Sequence, residues 1–347
     1  MKPFLIVGAG AVGSSIGGYL ARAGHAVWLV SREKHVQAIR AQAGLKVSTY
    51  EEDFLAPLTA SVHPPRKLHP DTVIFLTVQA SDVISTLRNL GELPKLHPVV
   101  TWQNGIQAEN DAAPFCKQLM GGIVRYTSTL LDPGEVRLRR PGQLILGDYP
   151  EGESPLTHEL ARLLEGAGFR TGVASHIMQD KALKLLVNLV SGPAVLVRRT
   201  QKCPELAFVQ VRLLEEGRDA FQADGLPAQP TSGLGQPLEE MIERFRDGGS
   251  APDGKPVYNS TWQNLFHKRS RIENAYYHGE VIRRGESHGI DTPVNQRVLD
   301  LLEEVRQKGL GPEPWTPEEF RARFEDLLDF NQMPKPRDNS GGKTLEI

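Results

Sequence analysis

A glycine-rich turn directly after an apolar N-terminal run constrains this chain more than any other feature. Residues 4–7 have the character of a buried strand, and a G-x-G-x-x-G turn over residues 8–13 follows at once, ahead of a helical stretch. Strand, turn and helix in this order form the dinucleotide-binding unit of a doubly wound sheet. A plain glycine turn without a ligand is the alternative. The residues expected to bind the cofactor here are Gly8, Gly10, Ala11, Val12 and Gly13.

The end of the second expected strand, residues 26–30, indicates which dinucleotide fits. NAD enzymes carry Asp or Glu about 20 residues after the glycine turn, where it binds the ribose 2′-hydroxyl. This chain has Ser31 and Arg32 there, followed by Glu33, with no carboxylate at the strand tip itself. A guanidinium offers a planar fork of donors that suits a 2′-phosphate. The sequence therefore favours NADP(H), with a solvated surface Arg32 as the alternative.

Length and composition indicate two ordinary globular domains. The chain has 347 residues, of which 39% are hydrophobic and 24% charged, as is usual for such domains. A net charge of −2 does not mark a nucleic-acid or membrane-surface binder. The two cysteines, Cys116 and Cys203, suit neither a disulfide framework nor a metal site. No apolar run approaches the ~18 residues that span a bilayer, so we expect a cytoplasmic protein.

Strand-like runs alternate with helices in the first half of the chain, and helical periodicity dominates the second half. The second half also carries cap signals at Thr292-Pro293 and a capping box at Thr316-Pro317. We therefore predict an α/β fold, with an N-terminal Rossmann-like doubly wound domain over 1–175, an all-helical domain over 176–331 and a disordered tail over 332–347. Later strands are expected at 123–130, 135–139, 144–147 and 169–174, and helices at 176–198 (broken near Gly192-Pro193), 205–223, 237–246 and 274–287.

Polar side chains stand at three places where chemistry is plausible. Lys184 and Asn188 lie four residues apart, and so on one face, of a helix that is otherwise apolar all round and expected to be buried. A lysine there is costly unless it is paired or functional, although it could also snorkel to solvent or pair with Asp180. Asn104 follows a predicted parallel strand, where Asn-Gly is also an ordinary turn signal. Glu273 near a helix start is by itself unremarkable.

Taken together, these segments resemble the ketopantoate reductase (2-dehydropantoate 2-reductase) family over most of the chain. The order and spacing of four segments carry the resemblance: the glycine turn, Gln103-Asn104-Gly105, residues 184–188, and residues 273–279 leading to 288–295. The resemblance implies reduction of a small 2-keto acid by NADPH.

The resemblance also implies residue roles. Lys184 stabilises the carbonyl oxygen and donates the proton, and Glu273 holds a substrate hydroxyl or orients Lys184. Asn104 and Asn188 position the substrate and the nicotinamide, and Thr261, with Ser260 next, contacts substrate. No metal ion is implied, and a homodimer is a candidate assembly that no patch in the sequence decides.

Three departures from the family pattern leave the substrate open. Gly192 stands where the family usually has Asn, Thr261-Trp262 begins a stretch that lacks the usual Asp, and Gln79 replaces a Lys that commonly lies near the cofactor. Besides ketopantoate reduction, two hypotheses therefore remain: a reductase of another keto or imino acid on the same fold, and a non-catalytic NADPH-binding or sensing protein.

Overall fold

The computed structural model describes residues 1–198, 203–247, 260–268 and 272–333. They divide into two compact units. The first comprises Met1–Lys181 together with Pro230–Gly235, and the second comprises Ala182–Gln229 and the chain that follows Gly235. The sequence placed the boundary at residue 175, whereas in the structure the helix Ile177–Leu189 begins in the first unit and ends in the second.

The first unit is built on an eight-stranded sheet of order β12-β11-β8-β7-β6-β1-β2-β5, with a smaller sheet of order β4-β3-β10-β9. In the large sheet only the pairing of β8 with β11 is antiparallel. The strands are β1 Pro3–Val7, β2 Ala26–Val30, β3 Leu45–Ser48, β4 Asp53–Ala56, β5 Thr59–Ser61, β6 Val73–Leu76, β7 Val99–Thr101, β8 Leu119–Arg125, β9 Ser128–Asp132, β10 Glu135–Leu138, β11 Gln143–Asp148 and β12 Arg170–Val173.

Helices cover both faces of the large sheet, because alternate residues of each strand point to opposite sides. In β1, Phe4 and Ile6 pack into one buried cluster with Ile16 of the following helix. Leu5 and Val7, which point to the opposite side of β1, pack into a second cluster with Val83. This arrangement is the predicted doubly wound domain. The helices of this unit are α1 Ala11–Arg22, α2 Glu33–Ala41, α3 Val83–Leu90, α4 Leu93–Leu96, α5 Gln107–Ala112 and α6 Pro155–Gly166, with 3₁₀ turns at Ala80–Asp82 and Ala113–Phe115.

The described part of the second unit contains helices and no strand of its own, as predicted. Helix α12 packs against α9 and α13, and an apolar core with Val209, Val298 and Phe320 at its centre is almost fully buried. The helices are α7 Ile177–Leu189, α8 Ser191–Ala194, α9 Pro204–Ala223, α10 Leu238–Arg246, α11 Ser260–Phe266, α12 Glu273–His288, α13 Pro293–Lys308 and α14 Pro317–Ala322, with a 3₁₀ turn at Phe330–Gln332.

Some predicted boundaries are corrected. The run 123–130 belongs to two strands, β8 and β9, which lie in different sheets. The capping box at Thr316 is confirmed, but the Thr292 side chain does not cap α13. Instead, the Glu216 carboxylate accepts hydrogen bonds from the backbone N–H groups of Val294 and Asn295, both at 2.9 Å. Of the predicted tail, Gln332 lies in a 3₁₀ turn and residues 334–347 lie outside the described residues.

Candidate functional site

The glycine turn between β1 and α1 is held in the conformation that a dinucleotide requires. Gly8 has φ of +101°, and a Cβ there would lie 2.5 Å from the backbone nitrogen of Val78. A Cβ on Gly13 would lie 2.4 Å from Oγ1 of Thr77, so only glycine lets α1 approach the sheet this closely. In the protein, a Cβ on Gly10 would meet nothing nearer than 3.9 Å. The space that Gly10 leaves open lies at the start of α1, where unpaired N–H groups favour phosphate.

Strand order places this turn at a topological switch point. From β1 the sheet continues through β2 and β5 on one side and through β6, β7 and β8 on the other. Ligands of doubly wound folds bind outside the carboxyl ends of the strands at such a point. Thr77 follows β6 and donates from Oγ1 to the carbonyl of Gly8 at 2.9 Å. The residues present therefore fit a bound dinucleotide.

The expected ribose end of the site lies after β2. The Ser31 backbone nitrogen donates to the carbonyl of Ser61 at 3.0 Å, which extends the pairing of β2 with β5. Arg32 is the N-cap residue of α2 and is exposed. Gln79 is also exposed, immediately before the 3₁₀ turn that follows β6. As the sequence indicated, no acidic residue stands at the carboxyl-terminal tip of β2. The guanidinium of Arg32 is exposed there and is available to a ligand.

The Gln103-Asn104-Gly105 turn follows β7 at the same edge of the sheet. The Gln103 side chain is buried, and its Nε2 donates to the carbonyls of Leu76 and Val78, both at 3.0 Å. Gly105 has φ of +81°, as the second residue of an Asn-Gly turn commonly requires. Asn104 is exposed. The turn thus presents Asn104 at the sheet edge while Gln103 anchors it to the neighbouring strand.

In the second unit, Lys184 and Asn188 lie one turn apart on α7, and both are half-buried. The sequence predicted a buried Lys184, whereas the structure leaves this side chain only half-buried. The fully buried lysine of this helix is Lys181, whose side chain is 2% exposed. Asp180, which we considered as a partner of Lys184, accepts hydrogen bonds from Thr231 and Ser232.

Tyr277 joins two of the predicted site residues. Burial, followed by the nearby Glu273 carboxylate, raises the pKa of the Tyr277 hydroxyl well above its ordinary value. The Glu273 and Asn188 side chains both lie close enough to that hydroxyl to affect its pKa. Glu273 is the first residue of α12, where a helix N-terminus favours a carboxylate. The structure therefore places Asn188 and Glu273 near a residue that the sequence analysis did not single out.

Asn274 and Ser191 extend this network to Thr261. Nδ2 of Asn274 donates to the carbonyl of Asn188 at 2.8 Å and to Oγ of Ser191 at 2.9 Å. Oγ of Ser191 lies 3.3 Å from Oγ1 of Thr261, which is only 1% exposed. Ser260 is the first residue of α11, and its side chain lies outside the described residues. The spacing of Glu273 and Tyr277, four residues apart on one helix face, is the signal that could have revealed this network.

The structure gives a physical reason for Gly192. A Cβ at this position would lie 2.2 Å from Oδ1 of Asn274 and 2.7 Å from Nε2 of His278. His278 is fully buried, and its Nδ1 is 2.8 Å from Oδ1 of Asn295. Two polar side chains of α12 thus occupy the space that a side chain at position 192 would need.

Each unit, taken by itself, presents polar groups at the predicted site positions. In the first unit, the glycine turn, Thr77 and the Asn104 turn line the strand ends where a dinucleotide would bind. In the second unit, Lys184 is a half-buried cation on α7, and the Asn188 and Glu273 side chains lie near the Tyr277 hydroxyl. Within the described residues, no group of three or more His, Cys, Asp or Glu side chains could hold a metal ion. None of the described helices combines the length and apolar character that crossing a bilayer requires.

Two family models match the chain. Residues 4–151 match the model described as ketopantoate reductase PanE/ApbA, and residues 176–306 match the model described as its C-terminal part. A curated relative from Archaeoglobus fulgidus, named 2-dehydropantoate 2-reductase, is 27% identical over 305 residues, which cover 86% of this chain and 96% of the relative.

Solved structures with the same fold cover most of the chain. A crystal structure of a PanE/ApbA family ketopantoate reductase from Ralstonia eutropha is 25% identical, with a TM-score of 0.72, and the match covers 88% of this chain and 99% of that one. A ternary structure of D-mandelate dehydrogenase with NADH and anilino(oxo)acetate is 21% identical, with a TM-score of 0.73 and the same two coverages.

Proposed function

Because the chain belongs to the ketopantoate reductase PanE/ApbA family, we propose that it reduces 2-dehydropantoate to pantoate with NADPH. One observation carries this proposal above the others. Lys184 lies one turn before Asn188 on α7, and the Asn188 and Glu273 side chains both lie near the Tyr277 hydroxyl. This arrangement supports the proposed roles of Lys184 as proton donor and of Asn188 and Glu273 in binding the substrate.

The reaction needs a hydride, a proton and a site for developing negative charge. When bound, the dihydronicotinamide supplies the hydride to the keto carbon. The Lys184 ammonium stabilises the negative charge that develops on the carbonyl oxygen and donates the proton that completes the hydroxyl group. Glu273 accepts a hydrogen bond from a substrate hydroxyl. Asn104, Asn188 and Thr261, with Ser260 next to it, position the substrate and the nicotinamide.

NADPH rather than NADH is the proposed donor because Arg32 is exposed at the tip of β2, where an NAD enzyme would carry a carboxylate. In the Arg32→Ala variant we expect the KM for NADPH to rise at least tenfold and the KM for NADH to change little, since only NADPH carries the 2′-phosphate. Steady-state kinetics with both cofactors measure this. Arg88→Ala, on α3, is a control substitution. Equal changes for the two cofactors would contradict the role of Arg32.

The decisive experiment follows the loss of NADPH absorbance with 2-dehydropantoate and a panel of other 2-keto acids, with the product identified by mass spectrometry. We expect rapid NADPH oxidation with 2-dehydropantoate and formation of pantoate. Tight NADPH binding without turnover on any substrate would support the non-catalytic alternative instead.

A second candidate function, reduction of a different 2-keto acid, has one observation in its favour. Gly192 lies on α8, directly after α7, and Asn274 and His278 of α12 fill the adjoining space. The polar groups near Asn188 therefore differ from the usual family pattern. A higher kcat/KM for another acid than for 2-dehydropantoate would favour this candidate.

A further inference from the structure

A buried ion pair in the first unit plays no part in the proposed chemistry. Nζ of Lys181 lies 2.6 Å from Oε1 of Glu109, and the two side chains are 2% and 0% exposed. The same carboxylate oxygen accepts a hydrogen bond from Oγ1 of Thr101 at 2.5 Å. Glu109 lies on α5, Thr101 ends β7, and Lys181 lies on α7. The pair therefore ties three elements together beside the carboxyl end of β7.

All three hydrogens of the Lys181 ammonium have an acceptor. Besides Glu109, Nζ donates to the carbonyl of Gln103 at 3.0 Å and to the carbonyl of Gly122 at 3.3 Å. The Gln103 carbonyl belongs to the peptide unit that leads into Asn104. The side chain of Gln103 is held separately, by the carbonyls of Leu76 and Val78. The residue before Asn104 is thus fixed through its backbone and through its side chain.

Stability alone does not account for such a pair. Replacing a buried ion pair by apolar side chains of similar size is often neutral or stabilising, because the charges no longer lose their hydration. Oε2 of Glu109 is moreover buried without a hydrogen-bond partner among the described residues, which adds to the cost of keeping a carboxylate here. What apolar side chains could not supply is a donor to the Gln103 carbonyl.

We propose that Lys181 and Glu109 are positioning residues that set the orientation of the Gln103–Asn104 peptide and hence of the Asn104 side chain. The Glu109 carboxylate holds the Lys181 ammonium in place, and this ammonium in turn donates a hydrogen bond to the Gln103 carbonyl. The kinetic consequence of this positioning rests on the proposed function, in which Asn104 positions the substrate and the nicotinamide. A displacement of about 1 Å in such a group can lower turnover by about 100-fold.

The test compares Lys181→Met combined with Glu109→Leu, Asn104→Ala alone, and all three substitutions together. Lys95→Met combined with Glu92→Leu is the matched control, because it removes an exposed ion pair of the same unit. We expect the double variant at Lys181 and Glu109 to melt within a few degrees of the wild type, with kcat about 10- to 100-fold lower. Because Lys181 acts through Asn104, the triple variant should be no slower than Asn104→Ala.

A second readout needs no turnover. Hydrogen exchange of the peptide that covers residues 103–106 should be faster in the double variant than in the wild type and unchanged in the matched control. If the wild type reduces no 2-keto acid, the proposed function fails and this exchange result alone decides the positioning role. Unchanged exchange, or a triple variant whose loss equals the product of the separate losses, would overturn the inference. Should the double variant not fold, Lys181→Met combined with Glu109→Gln, which keeps an acceptor for Thr101 and leaves no unpaired charge, replaces it in both measurements, with the same expected results.

Discussion

At the scale of single residues, the first question is which side chain donates the proton. Lys184 is half-buried, so it can meet a substrate and is still partly shielded from water. Lys181, one turn earlier on α7, is enclosed and bound to three acceptors. Their burial thus distinguishes Lys184, the proposed proton donor, from Lys181, the proposed positioning residue.

Lys184→Ala should lower kcat by about 100-fold or more, because the carbonyl oxygen loses both its proton donor and its stabilising charge. Binding of NADPH, measured by fluorescence titration, should change little. Lys308→Ala is the control, since Lys308 is an exposed lysine paired with Glu304. Loss of NADPH binding in Lys184→Ala, rather than loss of turnover, would place this residue in the cofactor site instead.

His278 makes stability depend on pH. Burial lowers the pKa of His278 to about 4, while in the unfolded chain it is near 6.5. As the pH falls from 6.5 to 4, the unfolded form takes up a proton that the folded form does not. The free energy of unfolding therefore decreases over this window, by roughly 3 kcal/mol in total from this group.

The substitution His278→Asn tests this, because an amide can still donate to Asn295 but does not titrate. We expect the free energy of unfolding of the variant, measured with urea from pH 7 down to pH 4, to fall less steeply than that of the wild type. Parallel pH curves for the two proteins would contradict the lowered pKa.

At the scale of elements, the approach of α12 to the end of α7 and to α8 decides what position 192 can be. Asn274 donates across to the carbonyl of Asn188, and its Oδ1 lies where a Cβ of residue 192 would be. Such close approach between helices requires a residue without a side chain. Gly192 is thus a packing requirement of this chain, in which α12 supplies the polar groups.

Gly192→Ala should destabilise the protein by about 1–3 kcal/mol, since the added Cβ forces Asn274 and His278 to shift. The same substitution in an Asn274→Ala background should cost much less. Gly279→Ala on α12 is the control: nothing lies within 4 Å of its Cβ position, and alanine should stabilise the helix by about 0.5–1 kcal/mol. Urea unfolding of the wild type, Asn274→Ala, both Gly192→Ala variants and Gly279→Ala measures these free energies. An equal cost of Gly192→Ala in both backgrounds would rule out this contact as its cause.

At the scale of the whole molecule, the chain returns to its first unit after α9 and the residues that follow this helix. Residues Pro230–Gly235 belong to that unit. The buried Asp180 carboxylate accepts hydrogen bonds from the backbone nitrogen and Oγ1 of Thr231, both at 2.7 Å, and from Oγ of Ser232 at 2.8 Å. The nearby side chain of Leu234 packs against Ile177 and other buried residues.

Asp180→Asn should lower the free energy of unfolding by about 1–3 kcal/mol, because the amide cannot accept all three hydrogen bonds. It should also expose the chain near residues 226–236 to proteases, as limited proteolysis with mass spectrometry would show. Asp82→Asn, an exposed carboxylate of the same unit, is the control. If Asp180→Asn has the free energy of unfolding and the cleavage pattern of the wild type, then Pro230–Gly235 is held by Leu234 rather than by the Asp180 carboxylate.

Local patterns determined much of this molecule. The glycine turn with its flanking strand and helix, the helical second half and the capping box at Thr316 all depend on residues close together in the chain. The small sheet was not foreseen, since β3 and β10 pair across a long stretch of sequence. Among the proposed site residues, Lys184 and Asn188 were singled out by their spacing on one helix, and Glu273 by the family resemblance.

Tertiary structure decided the rest, because it depends on contacts between distant segments. Nothing local distinguishes Lys181 as the buried lysine, since its partners lie in the turn after β7, on α5 and on β8. The sequence by itself determined which residues could do chemistry and the order of helices and strands. Only the packing of remote elements determined which lysine is enclosed, which glycine is obligatory and which polar groups meet, since burial and hydrogen bonding are properties of the folded neighbourhood.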